Sequence, residues 1–322
     1  GTSYNAFLLQ TEKGNVLFET CKENFAAECL SRIESVIGKE GKIDYIVLNH
    51  TEPDHSGSLI HILEKYSDAT VIATPAALGN VKYIGHIKDD TKTLSSAKLK
   101  TLDLGNYHLK FMLQLFLHWP DTMMTVIGEM KVLVTCDVFG GHCADERVFN
   151  DQMEDRIKDM DDAYRHYFDC IFGPFKPYVL KGIDMIETKM GFPADELKAI
   201  CCSHGPVLRT NIRSNIERYR EWSQPPVLKN KVVITYGSAY GYTEAMALKI
   251  AEGIKSVGVA VSIHDIVKSS VEKVLADFAN AKGLLLGSPT LVEDAIPPMM
   301  LILRNLNPIV HCNRFIQAFG SY

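Results

Sequence analysis

The order of hydrophobic and polar residues divides the chain into two parts. From residue 3 to about residue 222, short apolar runs are mixed with longer amphipathic stretches. The short runs predict strands at NAFLL, VLFE, DYIVLN, TVIAT, LKFML, MTVIG, KVLVTCD and KAICCS. The amphipathic stretches predict helices at NFAAECLSRIESVIG, GSLIHILEKY, MEDRIKDMDDAYRHYFDCIF and YVLKGIDMIETK. This pattern favours two sheets covered by helices.

A different pattern begins after residue 230. The preceding segment SQPPVLKN, residues 223–230, is Pro-rich and polar, as linkers are. Strand and helix segments then alternate strictly: KVVITYG, TEAMALKIAEGIKSVG, VAVSIHDI, SVEKVLADFA, GLLLGSP, PPMMLILRNL and RFIQAFG. Such alternation predicts a parallel, doubly wound sheet. We therefore expect an α/β chain with a first domain at 1–222, a linker at 223–230 and a second domain at 231–322.

The composition is that of an ordinary globular protein. The chain has 322 residues, of which 46% are hydrophobic and 23% charged, and its net charge is -5. This charge gives no reason to expect nucleic acid, because nucleic-acid-binding proteins carry basic patches. No apolar run is long enough to span a bilayer. The 8 cysteines include no Cys-x-x-Cys pair, which predicts reduced thiols and a cytoplasmic location.

The segment LNHTEPDHSGSL places four ligand-type side chains directly after a predicted strand. His50, Glu52 and Asp54 are two residues apart, so they share one side of an extended segment, and a turn adds His55. Imidazole and carboxylate together suit metals such as iron, manganese or zinc. The alternative is a polar turn in which Asp and Thr cap the following helix. Four such residues in six positions favour the metal site.

Three further ligand-type residues follow apolar runs elsewhere in the first domain. His118 follows LFL, Asp137 ends the strand KVLVTCD, and His204 follows AICCS. Each one alone is compatible with an ordinary polar residue at the end of a strand. Together they repeat one arrangement, a ligand-type side chain on the loop that leaves a strand. We therefore expect them to complete the metal site.

The segment TYGSAYGYTEAMA, between the first strand and first helix of the second domain, predicts an anion site. Gly237, Ser238, Gly241 and Thr243 supply free backbone N–H groups and hydroxyls at the start of a helix, where the helix dipole favours a phosphate. No Lys follows, as a Walker loop would require. The segment GSPTLVEDAIPP leaves the third strand, and ligands of flavodoxin-like sheets bind between the first and third strands.

The metal motifs resemble those of flavodiiron proteins (A-type flavoproteins), whose first domain is a metallo-β-lactamase-like αββα sandwich. NHTEPDHSGSL, LHWPD and SHG are similar to the motifs of that family in sequence and in order. The resemblance implies that His50, Glu52 and His118 hold one iron ion, that Asp54, His55 and His204 hold another, and that Asp137 bridges them. Trp119 is expected to line the pocket. The wider hydrolase superfamily has His where this chain has Glu52, and a carboxylate there favours iron over zinc.

The second domain resembles flavodoxins, which bind FMN. The resemblance implies FMN contacts from three segments: Ser238, Ala239, Tyr240, Gly241, Tyr242 and Thr243; Ser288, Pro289, Thr290 and Leu291; and Gly320, Ser321 and Tyr322. Val292 departs from the family, many members of which have Asn at this place. The resemblance also implies that the flavodoxin-like fold is incomplete at its C-terminal end and that the family's first residues precede Gly1.

The same resemblance implies an activity. Flavodiiron proteins reduce O2 to water, NO to N2O, or both, with electrons relayed through FMN from a rubredoxin or a flavin reductase. A head-to-tail homodimer, or a dimer of such dimers, is expected to bring the flavin of one subunit to the irons of the other. The alternative is a metallo-β-lactamase-type hydrolase with an accessory flavodoxin-like domain. A third interpretation is a binding protein that has kept the fold without redox activity.

Overall fold

A computed structural model of the chain describes residues 1–308 and 310–322. These residues form two compact units, Gly1–Gln224 and Pro225–Tyr322. The division falls inside the predicted linker at 223–230. The last two residues of that predicted linker are already part of a strand, which begins at Lys229. The reason is pairing, since the backbone N–H of Lys229 donates to the carbonyl of Asn280 at 2.7 Å.

The first unit contains two five-stranded sheets. The first sheet has the order β1-β2-β3-β4-β5 and the second the order β10-β9-β8-β7-β6. The first pair of the first sheet is antiparallel and its other pairs are parallel, whereas the second sheet is antiparallel except between β9 and β10. The strands are β1 Phe7–Thr11, β2 Gly14–Phe18, β3 Tyr45–Val47, β4 Thr70–Ala73, β5 Thr93–Ser95, β6 Thr101–Asp103, β7 His108–Leu113, β8 Met123–Ile127, β9 Val132–Cys136 and β10 Ala199–Cys202.

Helices cover the outer face of each sheet, which gives the expected αββα sandwich. They are α1 Ala26–Ile37, α2 Pro53–Ser56, α3 Leu59–Lys65, α4 Pro75–Asn80, α5 Ser96–Leu99, α6 Ile157–Tyr167, α7 Lys176–Lys189 and α8 Ile212–Trp222. Apolar residues of the two sheets, among them Phe18, Val47 and Phe111, form a core between the sheets. A second core lies under α1 and α3, and a third under α6, α7 and α8. The central core aligns the strand ends of the two sheets along one edge.

Several elements of this unit differ from the prediction. The predicted helix at 153–172 begins later, at Ile157, and its last residues form a π-helical turn, Phe168–Phe172. The sequence analysis does not predict six elements, which are the strands β5 and β6 and the helices α2, α4, α5 and α8. The three residues of β5 are mostly exposed and carry no alternating pattern, and α8 contains five charged side chains along IRSNIERYREW. Packing on the rest of the unit, and not local sequence, stabilises such elements.

The second unit is a doubly wound parallel sheet. Its elements are β11 Lys229–Tyr236, α9 Tyr242–Ser256, β12 Ala260–Asp265, α10 Val271–Phe278, β13 Ala281–Leu291, β14 Asp294–Ala295, α11 Pro297–Asn305 and β15 Phe315–Ser321. The parallel strands lie in the order β12-β11-β13-β15, which is the flavodoxin-like order for a chain of these strands. The helix α9 packs on one face, and α10 and α11 pack on the other.

Candidate metal centre and flavin site

The seven predicted metal ligands come from loops at one edge of the sandwich. His50, Glu52, Asp54 and His55 lie on the segment after β3 of the first sheet, with Asp54 and His55 in α2. In the second sheet, Asp137 directly follows β9, and His204 lies two residues after the end of β10. His118 lies on the loop between β7 and β8. The residue before Asp137, Cys136, has a φ of 53°, so the chain turns sharply as β9 ends. Folding thus brings together residues from four separate loops.

Four of these side chains form the first cluster. His50, Glu52, His118 and Asp137 each offer a nitrogen or oxygen within 4.8 Å of the others. The Oε2 atom of Glu52 lies 3.3 Å from Nε2 of His50 and 3.1 Å from Nε2 of His118. The Oδ2 atom of Asp137 lies 3.7 Å and 3.4 Å from the same two nitrogens. All four side chains therefore aim their ligand atoms at one point.

The other three side chains form a second cluster beside the first. Asp54, His55 and His204 also offer ligand atoms within 4.8 Å of one another. The Oδ1 atom of Asp54 lies 3.4 Å from Nε2 of His55, and its Oδ2 atom lies 3.4 Å from Nε2 of His204. The Oδ1 atom of Asp137 lies 3.0 Å from Nε2 of His55 and 3.3 Å from Nε2 of His204. Asp137 thus presents one oxygen to each cluster.

The donor set fits two first-row metal ions. Among the described residues, Oδ1 of Asp54, Nε2 of His55 and Oδ2 of Asp137 are buried atoms that have no hydrogen-bond partner. Burying such atoms without a partner is costly, and ligation of a metal ion removes that cost. Mixed imidazole and carboxylate ligands are those that iron, manganese and zinc prefer. One carboxylate shared between two ligand clusters is the arrangement expected of a two-metal centre.

The pKa values of two histidines in the site also indicate a place for positive charge. Burial lowers the pKa of His50, but hydrogen bonds with Asp121 and Glu52 outweigh it and raise the pKa to about 10. Burial likewise lowers the pKa of His204, and hydrogen bonds with Asp137 and Asp54 raise it to about 10. The carboxylates therefore favour positive charge on the imidazoles. Metal binding supplies that positive charge and releases the protons.

The carboxylates of the site remain ionised. Hydrogen bonds from His118 and His50 lower the pKa of Glu52 to about 2. Burial raises the pKa of Asp137, but the charge of His55 and the neighbouring imidazoles of His118 and His204 bring it well below its usual value. Both carboxylates are thus available as anionic oxygen ligands at neutral pH.

Asp121 supports the site, although the sequence analysis did not assign it a role. Its Oδ1 atom lies 2.9 Å from Nδ1 of His50, and both side chains are fully buried. Its Oδ2 atom accepts hydrogen bonds from the backbone and the hydroxyl of Thr51. This contact fixes the ring of His50 so that Nε2 faces the cluster, as carboxylate partners of metal-binding histidines do. The motif LHWPD contains Asp121, so its position three residues after His118 indicates that it lies near the site.

Two other buried residues support ligands and were also missed. The hydroxyl of Tyr167 donates to Oδ1 of Asp137 at 3.1 Å. Glu19 is fully buried at the end of β2, and its Oε1 atom accepts the backbone N–H of Asn49 at 2.8 Å, directly before His50. The sequence does contain an indication for Glu19, because it is another acidic residue directly after a strand. Tyr167 lies inside an amphipathic helix, where an aromatic residue normally belongs to the core.

Trp119 lies beside the first cluster, as expected of a residue that lines the pocket. It is half-buried, and its ring centroid is 5.0 Å from that of His50 in an edge-to-face arrangement. On the other side of His118, the ring of Phe172 lies 6.3 Å away, also edge to face. Aromatic rings therefore lie beside two of the histidines of the first cluster.

In the second unit, the three predicted flavin segments meet at the carboxyl ends of adjacent strands. Ser238, Ala239, Tyr240, Gly241, Tyr242 and Thr243 connect β11 with α9, and the other two segments are the ends of β13 and β15. The hydroxyl oxygens of Thr243 and Ser321 are 3.0 Å apart, which joins the first segment to the third. Ser288 pairs with Gly320 and Pro289 with Ser321. The three segments therefore border one site.

The first segment has the features of a phosphate site. Gly241 precedes α9 with a φ of 87°, a left-handed conformation that glycine adopts without strain. The backbone N–H of Gly241 donates to Oγ of Ser238 at 3.0 Å, which closes the loop. The helix that follows has 15 residues, so its dipole and free N–H groups favour an anion at its N-terminus. Tyr240 and Tyr242 are mostly exposed beside this loop.

The other two segments are more regular than predicted. Ser288 and Pro289 end the predicted strand GLLLGSP, but Thr290 and Leu291, which are expected on a loop, also belong to β13, and Gly320 and Ser321 are the last residues of β15. Their parallel pairing keeps both extended. Beyond Leu291 the chain turns back through Val292 and Glu293, both with positive φ, and β14 pairs with β13. Tyr322 follows β15 and is fully exposed.

Comparison with known proteins identifies the two units. The model of the ODP family beta lactamase matches residues 2–205, and the flavodoxin model matches residues 234–307. The flavo-diiron protein FprA2 of Clostridium acetobutylicum is 37% identical over 329 aligned positions, which span 100% of this chain and 80% of that protein. The anaerobic nitric oxide reductase flavorubredoxin of Vibrio vulnificus is 34% identical, over 100% of this chain and 64% of that protein.

A solved structure has the same fold. The rubredoxin oxygen:oxidoreductase of Desulfovibrio gigas superposes with a TM-score of 0.71 at 30% sequence identity, covering 99% of this chain and 78% of that one. The similarity extends through both units. The chain therefore belongs to the flavodiiron proteins, a family of oxidoreductases.

Proposed function

We propose that this protein reduces O2 to water, NO to N2O, or both, at a non-haem di-iron centre that receives electrons through FMN. The observation that carries the proposal is the shared carboxylate of Asp137, which has one oxygen in each of two ligand clusters. A flavodoxin-type site in the same chain supplies a place for the flavin. Similar proteins named as an oxygen oxidoreductase and as a nitric oxide reductase support both substrates.

The chain supplies a distinct ligand set for each iron. We assign His50, Glu52 and His118 to one iron and Asp54, His55 and His204 to the other, with Asp137 shared between them. Iron ions held by these residues would supply a binding place and electrons for a diatomic substrate, and FMN held by the second unit would supply single electrons. Glu52 adds a hard, anionic oxygen where the related hydrolases have an imidazole, and this favours iron.

Residues around the ligands orient them and control protons and water. Asp121 holds the ring of His50 through Nδ1 at 2.9 Å, so that Nε2 faces the first cluster. The hydroxyl of Tyr167 keeps a proton 3.1 Å from Oδ1 of Asp137, and burial raises the pKa of Tyr167 well above its usual value. Trp119 and Phe172 restrict water at the first cluster.

Metal and flavin content test this function against its main alternative. We expect the purified protein to contain iron in a ratio approaching two per chain and to show the visible absorption of bound FMN. A hydrolase with an accessory domain needs neither iron nor flavin, because a zinc pair can activate water for hydrolysis. A colourless protein loaded with zinc would therefore contradict the proposal.

Replacing Asp121 by Asn is expected to weaken iron binding by roughly 10–100-fold. Asn retains the size of the side chain but removes the charge that faces His50 and one of the two acceptor oxygens. Iron affinity is measured by competition with a chelator of known affinity. The matched control is Asp103→Asn on the surface, since the side chain of Asp103 is 57% exposed. Equal iron affinity in Asp121→Asn and the unchanged protein would show that Asp121 does not support the site.

Replacing Glu52 by His is expected to shift metal preference from iron towards zinc by roughly tenfold, a change of ~1.4 kcal/mol. The substitution exchanges an anionic oxygen for a neutral imidazole nitrogen and recreates the ligand pattern of the hydrolase superfamily. Metal-free protein is mixed anaerobically with equal amounts of Fe(II) and Zn(II), and the bound metals are then measured. Glu40→His, at an exposed position, controls for the added imidazole. An unchanged zinc-to-iron ratio would contradict the role given to Glu52.

We also propose a head-to-tail homodimer, or a dimer of such dimers. The support is the resemblance to the family, in which the flavin of one subunit serves the irons of another. Light scattering of the loaded protein is expected to give a mass that is an even multiple of the chain mass. A monomer with full activity would rule out this arrangement.

The remaining assignments concern the electron donor and the location. We propose that the donor is a separate redox protein, such as a rubredoxin or a flavin reductase. All 8 cysteines of the described residues are free thiols, which supports a reducing, cytoplasmic environment. Among the described residues, no helix has the length and apolar character that a membrane span requires.

A further inference from the structure

We propose that Asn5 is a positioning residue for the second ligand cluster. Asn5 clamps the turn that carries His204, and the carbonyl of the nearby Ser3 orients the imidazole of that ligand. The inference rests on the proposed function, because it takes the ligand-type side chains to bind metal. It goes beyond that function by giving a role to the segment 3–5, which precedes β1 and contains no metal ligand.

The ring of His204 is oriented by a backbone carbonyl. The Nδ1 atom of His204 lies 2.8 Å from the carbonyl oxygen of Ser3. A carbonyl oxygen can only accept a hydrogen bond, so Nδ1 carries the hydrogen and donates it. Nε2 is thereby left to face the second cluster, where it lies 3.4 Å from Oδ2 of Asp54. The contact corresponds to the one between Asp121 and His50 in the first cluster.

The side chain and the backbone of Asn5 clamp the turn around His204. The Nδ2 atom of Asn5 donates to the carbonyl of Cys202 at 2.9 Å and to the carbonyl of Gly205 at 2.7 Å. The backbone N–H of Asn5 donates to the carbonyl of Ser203 at 2.8 Å. One residue therefore holds the backbone on both sides of the ligand.

The hydroxyl of Ser3 ties the same turn a second time. Its Oγ atom accepts the backbone N–H of Gly205 at 2.8 Å and lies 3.3 Å from the carbonyl oxygen of that residue. Gly205 has a φ of 74°, a left-handed conformation that residues with a side chain rarely adopt. Contacts that hold the backbone of Gly205 in this conformation also hold the adjacent backbone of His204.

His204 needs such support because it comes from the edge of a sheet. The strand β10 ends two residues before His204 and is an edge strand of the second sheet. Among the described residues, one bridge between Ile200 and Leu208 is the only pairing on the outer side of β10. His50 instead follows β3, which lies inside the first sheet. The segment 3–5 therefore supplies a support for the second cluster that neighbouring strands already give to the first.

Loss of the amide of Asn5 is expected to affect one metal ion and not the other. Asp has the size of Asn, but its carboxylate donates no hydrogen bond. In Asn5→Asp the carboxylate faces carbonyl oxygens, which repel it, so the turn shifts and His204 no longer aims at the second cluster. The first cluster takes its own ligands, His50, Glu52 and His118, from other segments, so its metal ion should remain tightly bound.

Stepwise binding of Co(II) tests the proposal without reference to reductase activity. The full chain, freed of metal, is titrated with Co(II) in competition with a chelator, and the visible absorbance of bound Co(II) is followed. We expect two dissociation constants, of which Asn5→Asp raises one by at least roughly tenfold and the other by less than roughly twofold. Ser3→Ala removes the hydroxyl tie but keeps the carbonyl, so it should raise the same constant by a smaller factor.

Asn15→Asp is the matched control. The amide of Asn15 donates to the carbonyl of Lys42 at 2.7 Å elsewhere in the first unit, so this variant loses the same kind of bond and gains the same charge. It should leave both constants unchanged. Asp121→Asn should raise the constant that Asn5→Asp leaves unchanged, and a variant with both substitutions should raise both constants.

Removal of a ligand identifies the affected metal ion. A residue that acts only through His204 has no effect once that ligand is absent, so Asn5→Asp should cause no further loss of Co(II) affinity in His204→Ala. In His118→Ala it should still weaken the remaining site by roughly tenfold. If Asn5→Asp weakens both metal ions equally, weakens neither, or weakens binding further in His204→Ala, the proposal is wrong.

Two further outcomes separate this inference from the proposed function. If circular dichroism shows that Asn5→Asp does not fold, Ser3→Ala carries the comparison, and constants equal to those of the unchanged protein would overturn the positioning role. If the unchanged chain binds no more than one Co(II), the two-metal centre itself is contradicted, and the inference with it. Two bound Co(II) ions with no effect of Asn5→Asp or Ser3→Ala would contradict the positioning role alone.

Discussion

Replacing Asp137 by Asn is expected to lower the affinity for iron by at least ~100-fold, and the reductase activity with it. Mutation of a residue that only supports a metal ligand typically lowers metal affinity by ~10–100-fold. Asp137 faces both clusters directly, so a larger effect is expected. Asn has nearly the same shape, so packing is preserved, but it lacks the negative charge and offers only one oxygen. It therefore cannot present an oxygen to each cluster.

Iron content and activity of Asp137→Asn are measured beside those of Asp68→Asn. The side chain of Asp68 is 95% exposed and pairs with Lys92 on the surface, so its loss changes the net charge equally without touching the site. Thermal unfolding of both metal-free variants verifies that each folds. If Asp137→Asn folds and retains two irons with normal activity, the shared carboxylate is not needed and the assignment of ligands is wrong.

Replacing Ser238 by Glu is expected to weaken FMN binding by roughly 100-fold. Ser238 lies on the loop that precedes α9, where the backbone N–H groups and the helix dipole favour the negative charge of a phosphate. A carboxylate placed there repels the phosphate by ~3 kcal/mol in a partly screened environment. The measurement is a fluorescence titration of flavin-free protein with FMN.

Ser256→Glu at the opposite end of the same helix is the matched control. Ser256 is the last residue of α9 and is exposed, so the variant carries the same added charge far from the proposed phosphate. It should bind FMN with nearly normal affinity. Equal affinity of both variants for FMN would show that the loop at 238–243 does not hold the phosphate.

Much of the metal centre follows from sequence because its ligands occupy a repeated position. His50, Asp137 and His204 each come after an apolar strand, and strand ends of packed sheets meet along one edge. The residue types, imidazoles and carboxylates, then favour metal binding. What the spacing alone does not give is the division into two clusters, because this depends on which oxygen of Asp137 faces which histidine.

Supporting residues are harder to predict than ligands. Asp121 and Tyr167 contact the ligands from a loop and a helix that lie far from them in sequence, 71 residues from His50 and 30 from Asp137. No local pattern records such a contact, since an aromatic residue in an amphipathic helix is usually a core residue.

The fold of the second unit follows from its alternating pattern, but the lengths of its strands do not. The sequence predicts that the third strand ends at Pro289, yet pairing with β14 extends β13 to Leu291. Neighbouring strands supply the hydrogen bonds that local propensity does not. The order of the four parallel strands likewise depends on pairing between segments far apart in the chain.

In the proposed function, electrons pass from the flavin to a diatomic substrate through the iron centre. Anaerobic rapid mixing of the reduced, iron- and flavin-loaded protein with O2, and separately with NO, tests it through the absorbance of the flavin. We predict fast reoxidation by at least one of the two gases, and a rate at least ~100-fold lower in Asp137→Asn under the same conditions. Reoxidation at equal rates in the two proteins would contradict the account.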